Sequence, residues 1–91
     1  MERSDEIRQC FDSLRDVVLE KNKRYGDSAF NPPNVFSKLD AQSSIKIRLD
    51  DKISRIKNSN EVRKNDLSDV VGYCVLLCIA NGWLDFKEMI D

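Results

Sequence analysis

Apolar residues recur at helical spacing along three stretches of this chain, and no other feature of the sequence limits its fold as strongly. The first stretch contains Ile7, Cys10, Phe11, Leu14, Val17 and Val18. Their offsets of three, four and seven residues place them on one face of an α-helix. The 91 residues include only 3 Gly and 2 Pro, too few turn residues for a many-stranded β fold. We therefore expect an all-α fold.

Turn residues predict where helix 1 begins and ends. It should begin at Ser4, a residue type that caps helices, and should end near Arg24. Gly26 can take the left-handed conformation that closes a helix, and the sequence Asn31-Pro32-Pro33 forbids helix soon afterwards. Residues 26–40 therefore form a long Pro-containing loop.

A second helix is predicted to follow that loop. A short helical turn is expected at residues 35–38, and either Asp40 or Ser43 then caps helix 2, which should end at residues 58–60. One stripe of this helix is apolar and consists of Ile45, Leu49, Ile53 and Ile56. A helix with one apolar stripe packs that stripe against a neighbour, so helix 2 belongs to a small bundle.

The third helix is apolar on most of its circumference. It should begin at about Glu61 or Asn65 and end at Ala80, and residues 83–90 should form a short helical tail. Apolar side chains outside its inner face are those of Val75, Leu76 and Ile79. A 91-residue chain is one domain, 1–91, and two other helices offer little cover for so apolar a helix. We therefore expect a homo-oligomer.

Charge and cysteine content narrow the functional classes. The formal net charge is −1, which argues against binding to duplex nucleic acid or to an anionic membrane. Histidine is absent and the 3 cysteines form no CxxC pair, which excludes histidine general-base chemistry and the usual zinc sites. No apolar run approaches the roughly 20 residues of a membrane span. These features predict a cytoplasmic protein with reduced, buried cysteines.

The positive charge is concentrated in the middle of the chain. Residues 46–64 carry 7 basic and 3 acidic groups, whereas residues 65–91 carry 1 and 5. The end of helix 1 adds a compact cluster, Lys21-Asn22-Lys23-Arg24-Tyr25-Gly26-Asp27-Ser28. Cations at a helix end followed by a glycine turn and small polar donors can bind phosphate, although they would also complement the helix dipole.

Helix 2 and the loop provide further candidates for a ligand site. The basic residues there are Lys38, Arg48, Lys52 and Arg55, and Phe36 or Tyr25 could stack on a base. Alternating charges on helix 2 are also typical of a solvated helix face. If the cations do converge, the ligand they favour is a nucleotide or cyclic nucleotide.

Four carboxylates on two successive helices form a candidate metal set. Asp50 and Asp51 lie on helix 2, and Asp66 and Asp69 lie on helix 3. Facing each other across an antiparallel pair, they would offer the oxygen ligands that Mg²⁺ prefers. Asp66 and Asp69 alternatively form an acidic first turn that the helix dipole favours.

The chain resembles a known group of small proteins through three strings: KNKRYGDSAFNPPNVFSK, IRLDDKISRI and DLSDVVGYCVLL. These strings resemble small, mostly phage-encoded all-α proteins akin to the nucleotide modification associated domain and, more distantly, the MazG-like pyrophosphohydrolases. The likeness spans roughly residues 18–80. In the MazG-like pattern two carboxylate pairs hold Mg²⁺, and Asp66 and Asp69 match the second pair. The first pair is incomplete, because Ser54 and Arg48 stand three residues after and before Asp51.

Three functions follow as hypotheses. The first, which the resemblance to phage families favours, is a nucleotide-binding protein that sequesters a phosphate-bearing signal without turnover, counters host defence in the host cytoplasm, and requires no cofactor. The second is a Mg²⁺-dependent nucleoside triphosphate pyrophosphohydrolase of the MazG-like type. The third is a protein-interaction module that uses helix 3 and the tail.

Overall fold

The computed structural model describes residues 1–31 and 39–91, and these residues form an all-α structure. Three α-helices, α1 (Arg3–Arg24), α2 (Ala41–Asn58) and α3 (Lys64–Ala80), are followed by one short 3₁₀ helix, Lys87–Ile90. No strand is present in the described ranges. The prediction of a small helical bundle with three main helices is therefore confirmed.

Backbone turns end α1 where the sequence predicts. The N–H of Tyr25 donates to the carbonyl oxygen of Lys21 over 3.0 Å, which is the last turn of the helix. Gly26 and Asp27 then both have φ of 60°, in the left-handed region. Glycine takes this conformation without strain, and Asp is among the few other residues that tolerate it. The chain therefore leaves the helix axis at Gly26, as expected.

Side-chain hydrogen bonds cap the start of α2 and the end of α3. Asp40, one of the two predicted caps of α2, accepts a 2.7 Å hydrogen bond at Oδ1 from the N–H of Ser43. This bond lowers the pKa of the Asp40 carboxyl. α3 begins at Lys64, between the two predicted starts. At its end the Asn81 side-chain amide donates to the carbonyl oxygen of Leu77 over 2.9 Å.

The core lies between α2 and α3, which run antiparallel. Gln42 near the start of α2 donates to Asn81 at the end of α3 over 2.8 Å, and Lys52 pairs with Asp69 near the other end. Among the described residues, Ile45 of α2 is the one apolar side chain that is fully buried. This pair of helices is the body of the fold.

α1 also runs antiparallel to α3, and this explains the long loop. Lys21 pairs with Asp69, whereas Val18 lies against Gly72, so the two chains pass in opposite directions. α1 and α2 are therefore parallel to each other. The end of α1 and the start of α2 consequently lie at opposite ends of α3, about 18 Å apart for a 12-residue helical stretch. A two-residue turn cannot span that distance.

The apolar stripe on α1 is largely exposed, and the prediction that the cysteines are buried is wrong. The stripe on α1 is not buried, because Ile7 is 51% and Phe11 69% exposed and no α1 side chain is fully covered. The cysteines are unpaired but not buried, since Cys10 and Cys74 are exposed and Cys78 is half-buried. The α1 residues seen against α3, Val18 and Lys21, lie in the C-terminal half of the helix, so apolar character nearer its start did not lead to burial.

The predicted tail and loop turn have different outcomes. Within residues 83–90 only Lys87–Ile90 is helical, as a single 3₁₀ turn. At its start the Asp85 carboxylate accepts a hydrogen bond from the Lys87 N–H over 3.0 Å. The turn predicted at residues 35–38 lies outside the described residues. None of the described helices is both long enough and apolar enough to cross a membrane.

Candidate functional site

Two lysines, one from α1 and one from α2, pair with Asp69 of α3. Lys21 of α1 donates through Nζ to Asp69 Oδ1 over 2.8 Å. Lys52 of α2 approaches Asp69 Oδ2 with its Nζ at 3.0 Å. The side chains of Asp69 and Lys52 are only 14% and 17% exposed, whereas Lys21 is 42% exposed. The Asp69 carboxylate therefore ties α1 and α2 to α3 from a largely covered position.

Opposing effects set the pKa of Asp69. Burial raises the pKa of this carboxyl, but hydrogen bonds from Lys21 and Lys52 and the charges of both ammonium groups outweigh that effect. The net result is a pKa below the ordinary aspartate value. The same hydrogen bond raises the pKa of Lys21, against a smaller opposing effect of burial. Asp69 and Lys21 are consequently both charged at neutral pH.

A cleft of about 460 Å³ opens beside this triad. Its apolar surface comes from α1 and α3, where Val17, Val18, Gly72 and Leu76 lie. Tyr25 and Tyr73 add two aromatic rings, and Ser28 and Ser68 add hydroxyl groups. Its charged side chains are those of Lys21, Arg48, Lys52 and Asp69. Three cations and one carboxylate leave the cleft with a net charge of +2.

A small residue at position 72 lets α1 approach α3 closely at this cleft. Gly72 has no side chain, and a methyl group placed on it would lie 3.5 Å from Val18 Cγ2. A larger side chain would fill the space between the helices. Gly72 therefore keeps the apolar base of the cleft open.

Arg48 differs from the two lysines in its contacts with the described residues. Within the part of the chain that the structure describes, its guanidinium makes neither an ion pair nor a hydrogen bond. Lys21 and Lys52 by contrast both bind Asp69. Arg48 also borders a second recess, together with Ile47, Asp51, Lys52 and Tyr73. Its five N–H donors are thus available to a ligand in either space.

Six of the thirteen residues predicted to bind a ligand line the cleft. These are Lys21, Asn22, Tyr25, Ser28, Arg48 and Lys52. Phe36 and Lys38 lie outside the described residues. The sequence also placed Lys23, Arg24, Gly26, Asp27 and Arg55 at the site, but none of them lines the cleft.

Local contacts explain where those five residues lie. Lys23 is exposed, two positions along α1 from Lys21 and hence on another face of the helix. Arg24 pairs with Glu20 over 2.9 Å, and Arg55 pairs with Asp51 over 3.4 Å. Gly26 and Asp27 form the turn after α1, where the Asp27 carboxylate accepts from Asn31 over 3.2 Å.

Several lining residues were not assigned to the ligand site from the sequence. Among them are Val17, Val18, Ser68, Gly72, Tyr73 and Leu76. One sequence signal could have identified this part of the cleft, since a single glycine inside an apolar helix often marks a close approach of another element. Gly72, three residues after Asp69, is such a glycine.

The four carboxylates proposed as magnesium ligands do not fit a metal site in this structure. Asp50 and Asp51 are exposed and adjacent, so their side chains leave α2 in different directions, and Asp51 pairs with Arg55. Asp66 is buried, 4% exposed, and both oxygens of Asp69 bind lysine. Residues 1–31 and 39–91 contain no group of three or more acidic or cysteine side chains arranged to hold a metal ion.

Comparison with family models, with curated proteins and with solved structures found no match to this chain.

Proposed function

We propose that this protein binds a phosphate-bearing nucleotide in the cleft between α1, α2 and α3 and holds it without turnover. The observation that carries the proposal is that Lys21, Lys52 and Arg48 line one cleft, which contains a single carboxylate. An excess of cations in a concave site attracts anions and lets several donors bind one phosphate group.

The phosphate would lie near the ammonium groups of Lys21 and Lys52. These groups already hold two carboxylate oxygens at 2.8 and 3.0 Å, distances typical of charge-assisted hydrogen bonds. Arg48, which has no partner among the described residues, supplies a planar pair of donors suited to phosphate. The cost of freeing a cation from an existing partner is therefore absent for this residue.

The rest of the cleft suits the base and sugar. Tyr25 is 67% exposed, so its ring is accessible for stacking, and Tyr73 offers a second ring. Stacking of a base on an aromatic side chain contributes about 1–3 kcal/mol and tolerates any base. The volume of 460 Å³ lies within the usual range for small-molecule sites, roughly 300–1,000 Å³.

The chemistry of the lining residues favours binding over hydrolysis. Asp69 is the one carboxylate among the cleft-lining residues. Because two lysines lower its pKa, it is a weak base, and general-base catalysis is most effective when the pKa lies near the working pH. A protein of this kind would act by sequestration, which lowers the concentration of a dissolved nucleotide signal in the cytoplasm. The defence-related role implied by the phage resemblance rests on this mode of action.

Ultrafiltration identifies the ligand and separates binding from turnover. Purified protein with Mg²⁺ is mixed with nucleoside triphosphates, cyclic di- and trinucleotides and cyclic ADP-ribose isomers, and the filtrate is chromatographed before and after heat denaturation. We expect one species to leave the filtrate and to return unchanged on denaturation. Conversion of a triphosphate to a monophosphate would instead support the pyrophosphohydrolase alternative.

Two arginines of α2 provide a matched pair of variants. Arg48→Gln removes the cleft guanidinium, and Arg55→Gln makes the same change at an exposed residue that does not line the cleft. A hydrogen bond to a charged group contributes about 1.5–3 kcal/mol, so Arg48→Gln should weaken binding roughly 10- to 150-fold. Arg55→Gln should leave affinity within about twofold. Equal affinities for the two variants would contradict the proposed site.

A further inference from the structure

The face by which α1 contacts α3 continues beyond the contact as an exposed apolar surface. Val18 lies against Gly72 in the body of the fold. Leu14, Phe11 and Ile7 stand four, seven and eleven residues before Val18, on the same side of the helix. Leu14 is half-buried, but Phe11 is 69% and Ile7 51% exposed. The cover supplied by α3 therefore ends before the N-terminal half of α1.

α3 presents a matching surface toward the same end of the molecule. Val75 and Ile79 follow Gly72 by three and seven residues and thus lie on the face that Gly72 turns toward α1. Each is 42% exposed. Since α1 and α3 run antiparallel, the start of one helix and the end of the other lie on the same side of their contact. Ile7, Phe11, Val75 and Ile79 thus form one exposed apolar surface at this end of the two helices, which we call the apolar groove.

The total surface is too large for a self-sufficient chain of this mass. The solvent-accessible surface is 7,624 Å². A typical folded monomer of 10.5 kDa has a solvent-accessible surface of about 5,400 Å². The surface of this chain exceeds that value by about 2,200 Å². The seven residues outside the described ranges contribute at most about 1,100 Å². The remaining excess of about 1,100 Å² exceeds the roughly 800 Å² that each partner buries in a standard protein interface.

We propose that a second copy of this chain occupies the groove and that the protein is a two-fold symmetric homodimer with α1 at its centre. A single fully buried apolar side chain among the described residues is too small a core for independent stability. A partner must therefore cover the exposed apolar side chains whenever the chain is folded. A second copy is present wherever the chain is made, and most soluble oligomers are symmetric homo-oligomers.

The charges beside the groove permit such an approach. Arg8 pairs with Asp5 over 3.2 Å, and Arg15 pairs with Asp12 over 3.3 Å. These pairs neutralise one another within α1, which reduces repulsion between like helices. This interface does not depend on the cleft near Asp69, and a failure of nucleotide binding would leave the proposal intact.

Molar mass measured by light scattering after size exclusion tests the dimer. Wild-type protein should have twice the 10.5 kDa monomer mass. Phe11→Asp places a charge in the groove and should give a monomer or fail to fold. The control is Leu19→Asp, on the same helix and 63% exposed but on another face, which should remain dimeric. Equal behaviour of the two variants would overturn the assignment of the interface to this stripe.

Thermal unfolding of the wild type gives a test that needs no variant. When folding is coupled to dimerisation, the midpoint rises with protein concentration. We expect such a rise over a hundredfold range of concentration. A folded species of monomer mass whose midpoint is independent of concentration would overturn the proposal.

Discussion

Replacing Asp69 with Asn should change stability and anion affinity in opposite directions. The substitution keeps the size of the side chain but removes the charge that Lys21 and Lys52 share at 2.8 and 3.0 Å. The folded protein then carries two largely uncompensated cations, and the net charge of the cleft rises from +2 to +3. Loss of the carboxylate weakens the fold, whereas the added positive charge favours a phosphate.

The loss of stability can be estimated from the exposure of each pair. Lys52 and Asp69 are 17% and 14% exposed, and a hydrogen bond between charged groups in such a position contributes about 1.5–3 kcal/mol. Lys21 is 42% exposed, so solvent reduces its contribution to about 0.5 kcal/mol. A total of about 2–3.5 kcal/mol should lower the melting temperature by roughly 8–28 °C for a domain of this size.

The gain in affinity follows from the removal of a negative charge near the ligand. A phosphate held by the two ammonium groups would lie about 5 Å from the Asp69 carboxylate, a repulsion of about 3 kcal/mol at an effective dielectric constant of about 20. Solvent and salt in an open cleft roughly halve this value. We therefore expect Asp69→Asn to bind inorganic triphosphate about tenfold more tightly at low salt.

Calorimetric titration at low and high salt measures this effect under conditions in which circular dichroism shows the variant to be folded. The control is Asp12→Asn, which removes an exposed carboxylate from α1 without touching the cleft and should leave affinity nearly unchanged. Weaker binding by folded Asp69→Asn would refute the reasoning. It would mean that the carboxylate is needed to orient the lysines, or that it serves a metal ion.

Two further predictions concern α3 and pH. Gly72→Ala should raise the free energy of unfolding by about 1 kcal/mol, because Ala favours helix and its methyl group fits at 3.5 Å from Val18. Gly72→Leu should instead separate α1 from α3 and lower the free energy of unfolding. Denaturant unfolding of the two variants distinguishes these effects. Because the pKa of Asp69 is lowered, its ion pairs contribute their full stabilisation above the ordinary aspartate pKa, and this stabilisation is lost as pH falls toward the folded-state pKa. Wild-type protein should therefore lose more stability in acid than Asp69→Asn. The raised pKa of Lys21 predicts a second loss as pH rises above the ordinary lysine value.

The relation between Asp69 and the lysines bears on how carboxylate motifs are interpreted. Asp66 and Asp69 have the spacing of a metal-binding pair, yet in the fold one is buried and the other accepts from two cations. Spacing determines which residues share a helix face, but it does not determine which charges arrive from other helices. Carboxylate oxygens that already accept hydrogen bonds from lysines are not free to coordinate a metal ion.

Much of the fold was predictable because its signals are local. Helix periodicity, the Asp40 cap, the turn at Gly26 and the end of α3 at Ala80 each depend on residues a few positions apart. The candidate site was partly predictable for a related reason. Lys21, Arg48 and Lys52 belong to clusters that composition and charge reveal, so their convergence could be proposed before the fold was known.

Tertiary structure decided the remaining features, because they depend on how separate helices meet. The ion pair between Lys21 and Asp69 spans 48 positions in sequence, and only the antiparallel packing of α1 on α3 brings the two together. The exposure of Phe11 depends on how far the cover from α3 extends along α1, which no local pattern encodes. The sequence by itself thus determined where helices form and where charge accumulates, since both are set by near neighbours. Contacts between residues far apart in the chain decided which cations pair with Asp69 and which apolar stripe remains exposed to a partner.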